Sequence, residues 1–354
     1  MIEIDGSYGE GGGQILRTAI SLSALTLRPV KITKIRSGRP QPGLKRQHLA
    51  GVELTGHLVH AKIKGLEVGS TEVEFTPTRR ASGLFEYDVG TAGSIGLVLQ
   101  AVLPPAILSD GPVRLQLRGG TDVSWSPPID YLREVFVPML NRMGPNLEIR
   151  QERRGHYPKG GGKVSVDVTP CERISPITLL EFGKLQGISG VSHCVRLPSH
   201  IAERQARSAE KALENNGLNI LRITCESYDK RNDSHLGPGS GIVLWAESTD
   251  GVRLGSDSLG ERGKSAERVG HEAAQGLIRE LASGKPIDSH LCDMLVPYMA
   301  LAKGESRVGV SEITSHLTTN IWVAQQILGV EISLQGQKGQ PGLLTVRGIG
   351  FLPG

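Results

Sequence analysis

Aromatic residues make up only 4% of the 354 residues, and cysteine occurs just four times. The cysteines, Cys171, Cys194, Cys225 and Cys292, are scattered and form no Cys-x-x-Cys pair. That argues against zinc ribbons and redox dithiols and leaves reduced structural thiols as the expectation. No run approaches the ~18–20 apolar residues of a membrane span. The opening Met1-Ile2-Glu3-Ile4-Asp5 is acidic and strand-like, unlike a signal peptide. There is no Gly-x-x-x-x-Gly-Lys-Ser/Thr, so a nucleotide would have to be held without a P-loop. The 46 glycines and 20 prolines follow no period, which excludes a collagen-like chain. A soluble protein of the cytoplasm, with no membrane contact, is the expectation.

The length suggests two domains, or one large domain carrying an insert. The net charge of +4 identifies no partner, but its distribution is uneven. Between Glu10 and Glu53 there is no acidic residue, while Arg17, Arg28, Lys31, Lys34, Arg36, Arg39, Lys45 and Arg46 all fall there. A basic run is ordinarily a solvated face. Here its centre, Arg36-Ser37-Gly38-Arg39-Pro40-Gln41-Pro42-Gly43, is a turn-rich loop dominated by arginine. Arginine's planar fork suits bidentate phosphate contact, which favours a phosphate-bearing ligand.

A coarse strand–turn–helix unit recurs. Ile2–Ile4 leads through Gly6–Gly13 into a helix from about Gln14 to Leu25. Phe85–Val89 leads through Gly90–Gly93 into a helix carrying Leu97, Val98 and Val102. Val308–Val310 leads through Ser311–Ser315 into a helix carrying Ile321, Ala324, Ile327 and Leu328. Helix–strand pairs lie between them, His48–His60 into Ala61–Lys64 and Tyr131–Met143 into Leu147–Arg150. The stretch from about Gly183 to Gly284 reads differently. It holds strands near Cys194–Leu197, Ile220–Thr224 and Gly241–Ala246, and helices near Ile201–Glu214 and Lys264–Leu281. The expectation is an α/β (α+β) body, residues 1–182 with 285–354, and an inserted α/β domain, residues 183–284.

Three constellations can carry chemistry. The first is Asp5-Gly6-Ser7-Tyr8-Gly9-Glu10-Gly11-Gly12-Gly13-Gln14, a glycine-rich turn opening a helix. Such a turn lets backbone N–H groups approach a phosphate, or serves tight packing alone. It is not a dinucleotide fingerprint, because Gln14 stands where the third glycine belongs. Glu10 beside a phosphate would call for a divalent metal. The second is Ser311 through Asn320, with His316 at a helix start. The helix dipole there disfavours imidazolium, and a neutral imidazole beside phosphates suits a nitrogen nucleophile; a capping or packed histidine is the plainer reading. The third pairs Gly119–Pro128 with Gly155–Gly162, two turn-rich segments that serve either function or connection. His57 and His60 lie one turn apart without a third ligand and read as a solvated helix face.

Together these segments resemble the RNA 3′-terminal phosphate cyclase family. The matching stretches are Glu10-Gly11-Gly12-Gly13-Gln14-Ile15-Leu16-Arg17, Ile35-Arg36-x-Gly38-Arg39 and Pro42-Gly43-Leu44-x-Arg46-Gln47-His48-Leu49. Further on come Gly119-Gly120-Thr121-Asp122, Tyr157-Pro158-x-Gly160-Gly161-Gly162 and His316-Leu317-x-Thr319-Asn320-Ile321. The resemblance implies a body of three repeated four-stranded, two-helix units, like that of the enolpyruvyl transferases, with a smaller inserted α/β domain. It implies ATP as cosubstrate, a divalent metal (Mg or Mn) and RNA bearing a 3′-terminal phosphate. His316 would form a covalent adenylate, pass AMP to the RNA phosphate as an RNA(3′)pp(5′)A anhydride, and so prepare closure to a 2′,3′-cyclic phosphate. By matched position, Glu10 would bind the metal, and Arg17, Arg36, Arg39 and Gln47 would grip the RNA phosphate or the ATP polyphosphate. Gln100, Pro127, Tyr131 and the run His290, Leu291, Cys292, Asp293 and Met294 would form the adenosine pocket. Gln41 stands where a lysine can occur, which weakens one phosphate contact. The competing expectation is a non-catalytic RNA-binding relative that serves ribosome biogenesis; the presence of His316 favours the enzyme.

Overall fold

The structure, a computed structural model, describes residues 1–228 and 233–353. The first unit runs β1 (Ile2–Asp5), α1 (Gln14–Thr26), β2 (Val30–Thr33), α2 (Arg46–Leu58), β3 (Lys62–Lys64) and β4 (Val73–Thr76). Its sheet has the order β1-β2-β4-β3, with β1 and β2 parallel and the other pairs antiparallel. Alternation sets the buried face: Val30 and Ile32 of β2, and Val73 and Phe75 of β4, turn inward. Helix α1 covers that face and is buried over most of its surface.

The second unit repeats the plan with β5 (Gly83–Asp88), α3 (Ile95–Ala106), β6 (Val113–Gly119), α4 (Ile129–Tyr131), α5 (Val137–Asn141), β7 (Asn146–Arg153) and β8 (Gly162–Thr169). Its order is β5-β6-β8-β7, with the same parallel first pair. Leu132–Phe136 forms a π-helical turn between α4 and α5, where an uninterrupted helix is the sequence expectation. Pro138 supplies the reason. Its ring nitrogen cannot donate to the Glu134 carbonyl, so the backbone shifts and Val137 N–H reaches back to Leu132 O. The freed Glu134 carbonyl accepts instead from Arg253 Nη1 at 2.8 Å.

The third unit begins with β9 (Thr178–Leu179). The chain then forms a separate sheet from β10 (Leu185–Val195), α6 (His200–Glu214), β11 (Ile220–Glu226), β12 (Gly239–Ser248), β13 (Arg253–Leu259) and α7 (Ala266–Ala282). That sheet has a different order, β11-β10-β12-β13. Phe182 N–H donates to Gly284 O at 3.0 Å where the chain leaves and returns. The third unit resumes with α8 (Leu291–Leu301), β14 (Lys303–Val310), α9 (Ser315–Leu328), β15 (Glu331–Gly336) and β16 (Gly342–Ile349), giving β9-β14-β16-β15.

Three units therefore share one topology, and their helices meet. Helix α1 packs on α2, α3 and α9, and α8 packs on α3 and α9. One apolar core runs through all of it. The repeat differs in register from the sequence expectation. The strand–turn–helix at Val308 is β14–α9, the second step of its unit, equivalent to β2–α2 and not to β1–α1. The true first step is β9 followed by α8, which the fourth sheet separates. Among the described residues no helix is long and apolar enough to cross a membrane.

Candidate active site

The β1–α1, β2–α2 and β14–α9 loops converge at helix starts. Helix α9 begins cleanly because Thr314 accepts the Leu317 N–H at 3.0 Å, which sets His316 in the first turn. Tyr8 stacks on Trp322 of α9, with centroids 4.2 Å apart and planes 8° apart, and so ties the glycine-rich loop to that helix. Gly11, at φ +54°, lies against Gly38; a Cβ there would stand 2.9 Å from Gly38 N, so the two loops approach this closely only through glycine.

His316 is the centre of the arrangement, with a side chain 53% exposed. Its Nε2 lies 3.4 Å from Glu10 Oε2, and its Nδ1 lies 3.9 Å from Asp293 Oδ2. Arg39 Nη2 stands 3.6 Å from the same Glu10 oxygen. Asp293 is buried, and Gln14 Nε2 donates to its Oδ2 at 2.7 Å. Burial raises the Asp293 pKa, while His316 and the Gln14 hydrogen bond oppose the rise. Asn320 Nδ2 holds the Asp293 carbonyl at 2.6 Å, and Thr18 in turn donates to Asn320 Oδ1 at 2.6 Å. Helices α1, α8 and α9 are thereby cross-linked behind the histidine.

Beside this lies an excess of cations. Burial lowers the Arg17 pKa to about 10, and Arg17 Nε has no partner. Burial and then neighbouring Arg39 lower that of Arg36. His48 falls to about 3 through burial first and then Arg17, Arg36 and Lys45. Burial is the largest cause of each shift, and for Arg36 and His48 neighbouring cations add to it, a local excess of positive charge that a phosphate would offset. Gln47 lines a small cleft with Arg17 and His48. Arg36 behaves differently from a free phosphate grip: its Nη1 donates to Gln41 O and Gly43 O, each at 2.8 Å, so it also shapes the loop that carries Arg39.

The residues expected around adenosine divide. Gln100 and Pro127 are half-buried, and His290 is exposed at the start of α8. Tyr131 is wholly buried, its hydroxyl donating to Asp288 Oδ1 at 2.7 Å, and its ring meets His290 edge-on at 6.4 Å. Leu291 and Cys292 face the core, and Met294 is buried beside them. Asp293, expected as a pocket wall, instead backs His316. Asp288 is absent from the sequence expectation, yet it caps α8 by accepting from His290 N at 2.9 Å and Leu291 N at 2.8 Å. An Asp three residues before an apolar helix is a capping signal that sequence carries. A cavity of about 480 Å³ opens against His290, lined also by Asp257, Arg279, Glu280 and Glu312. Partial desolvation against the cavity would lower the His290 pKa, but Asp288, Asp257, Asp293 and Glu280 outweigh it and raise it.

Fold and site define a class: an α/β protein of three repeated units whose convergent loops set an exposed histidine beside a cluster of arginines. A family model described as RNA 3′-terminal phosphate cyclase (RTC) matches residues 8–334. The curated RNA 3′-terminal phosphate cyclase of Methanopyrus kandleri is 50% identical over 347 residues, covering 98% of this chain and 99% of that protein. The one from Ignicoccus hospitalis is 51% identical over 350 residues, covering 99% of each. The chain belongs to the RNA 3′-terminal phosphate cyclase family of enzymes. Among solved structures, the enolpyruvyl transferase NikO from Streptomyces tendae aligns at TM-score 0.40 and 11% identity over 99% of this chain and 48% of that one, a likeness too slight to carry an argument.

Proposed function

We propose that this chain uses ATP to convert an RNA 3′-terminal phosphate into a 2′,3′-cyclic phosphodiester, through a covalent adenylate on His316. The observation that carries the proposal is the placement of His316 between Glu10 and buried Asp293, at the edge of the arginine cluster. The Asp293 carboxyl, 3.9 Å from Nδ1, favours the proton on that nitrogen and leaves Nε2, on the Glu10 side, to act as the nucleophile. In the first step that lone pair attacks the α-phosphorus of ATP; a P–N bond forms and pyrophosphate leaves. An oxygen of the RNA 3′-phosphate then attacks the same phosphorus, the P–N bond breaks, and RNA(3′)pp(5′)A forms. Last, the vicinal 2′-hydroxyl attacks the RNA phosphorus, AMP leaves, and the hydroxyl proton passes to solvent.

Arg17, Arg39 and Gln47 bind the phosphates of the substrates, and Arg36 fixes the loop beneath them. The half-buried Gln100 and Pro127 and exposed His290 flank the adenosine, with Tyr131 as a fixed wall behind them. Glu10 is an exposed carboxylate of hard oxygens aimed at the same space, which fits a divalent ion such as Mg or Mn. Held by Glu10, that ion would supply charge neutralisation between the carboxylate and the triphosphate. Residues 1–182 with 285–354 form the catalytic body in this reading, and residues 183–284 the insert.

Intact mass tests it. Incubation with ATP and a divalent metal should add one adenylyl group to the wild type and none to His316→Ala. A wild type that binds ATP yet stays unmodified would overturn the mechanism.

A further inference from the structure

A second cluster lies apart from His316, where the second unit meets the fourth sheet. Asp122 follows β6, His156 sits in the β7–β8 connection, and His193 is on β10. One ligand atom from each lies within 4.8 Å of the others, and all three residues are buried. The two imidazole centroids are 5.2 Å apart.

The polar accounting there does not close. Both ring nitrogens of His193 are buried without a partner, and so is Nε2 of His156. Such a group ordinarily finds a partner in the protein, because leaving one unpaired costs about 1–3 kcal/mol. The other ring nitrogen of His156 hydrogen-bonds to the Asp122 backbone, which orients that ring. Asp122 Oδ1 lies 3.7 Å from His193 Nε2, and Thr121 donates to its Oδ2 at 2.6 Å.

Strand β12 makes room for these rings. A Cβ on Gly239 would stand 2.0 Å from His156 Cγ, and one on Gly241 would stand 3.0 Å from His193 Cε1. Two glycines on one face of a strand weaken it, so the space they give has a use. The charge also points one way. Arg154 is shared among Asp122, Asp130 and Glu226, and among the described residues only Arg133 adds a second cation, so carboxylates outnumber the cations that face them.

We propose that Asp122, His156 and His193 bind one divalent transition-metal ion that fastens the fourth sheet to the second unit. Two imidazoles and one carboxylate suit zinc, cobalt or nickel, and not the oxygen-seeking magnesium or calcium. Burial shuts the ion off from substrate, so its role is structural. It is separate from the ion expected at Glu10, and it stands whether or not His316 is adenylylated.

The test uses the full chain, stripped with a chelator and reloaded with cobalt(II) in the absence of ATP. Wild type should retain one equivalent through gel filtration and show visible d–d absorption. His193→Gln and Asp122→Asn should lose both, while Glu10→Ala and His316→Ala keep them. Zinc should raise the melting temperature of wild type and leave that of His193→Gln unmoved. Wild type that retains no cobalt overturns the proposal, showing that the orphaned nitrogens meet only water. Retention undiminished in both ligand variants overturns it equally.

Discussion

Nδ1 of His316 lies 3.9 Å from Oδ2 of Asp293, a buried carboxylate that Gln14 fixes at 2.7 Å. The pair reaches across two helices, since Asp293 belongs to α8 and His316 to α9. Asp293→Asn keeps the shape and removes the charge that selects the Nδ1–H tautomer. The rate of adenylyl incorporation should fall by roughly 10-fold, about 1.4 kcal/mol, which lies in the range for a charge about 4 Å away at the edge of a protein. Single-turnover labelling checks this. A rate equal to wild type would remove Asp293 from the orienting role.

Arg39 and Arg36 should part company. Arg39→Ala should weaken binding of RNA 3′-phosphate by about 1.5–3 kcal/mol, seen in KM more than in kcat. Arg36→Ala should do the same and also leave the carbonyls of Gln41 and Gly43 unpaired, so its melting temperature should drop as well. Steady-state kinetics and thermal melts separate the two, and cyclisation by both variants at the wild-type rate would reduce the loop to a solvated face.

The depressed His48 gives a pH dependence with a definite sign. Its folded pKa, about 3, lies below the ordinary 6.5, so the unfolded chain binds a proton that the folded one refuses. Stability from this residue is full above pH 6.5 and is lost as pH falls toward 3. Melting temperature should therefore decline over that window more steeply in wild type than in His48→Gln. Saturating pyrophosphate should flatten the wild-type curve, because an added anion offsets Arg17, Arg36 and Lys45.

Trp322→Ala removes the ring on which Tyr8 lies. The stacking is worth about 0.5–1.5 kcal/mol beyond buried area. Melting temperature should fall modestly, and KM for ATP should rise as the loop bearing Glu10 loosens. If only stability changes, the loop holds its place by its glycine contacts with residues 36–43 alone.

Much of the fold was legible because its helices follow glycine or Ser/Thr turns. Helices α1, α3 and α9 begin within a residue or two of those turns. Strand β13 was not legible, since Arg253-Leu254-Gly255-Ser256-Asp257-Ser258-Leu259 has little apolar alternation. Most of β10 was missed for a similar reason: glycine, serine and histidine interrupt it. The register of the third unit was hidden because the first strand and helix are far apart in the chain. At the site, His316, Glu10 and Arg39 could be read because each lies in a local turn–helix signature. The resemblance puts Tyr131 in the adenosine pocket; Asp288 draws its hydroxyl inward, and sequence gives no sign of that pairing. Asp122, His156 and His193 come from separate elements, so only tertiary structure brings them together.

The hydrogen bond between Phe182 and Gly284 makes one doorway for both exit and return. A segment entering there has no gap to bridge, so the surrounding repeat closes whatever the passenger's length. Swapping that passenger for a short linker leaves the hinge geometry intact but uncovers the Glu134 carbonyl that Arg253 occupies. The passenger is thus easy to splice yet not free to discard, because the kinked helix borrows a donor from it.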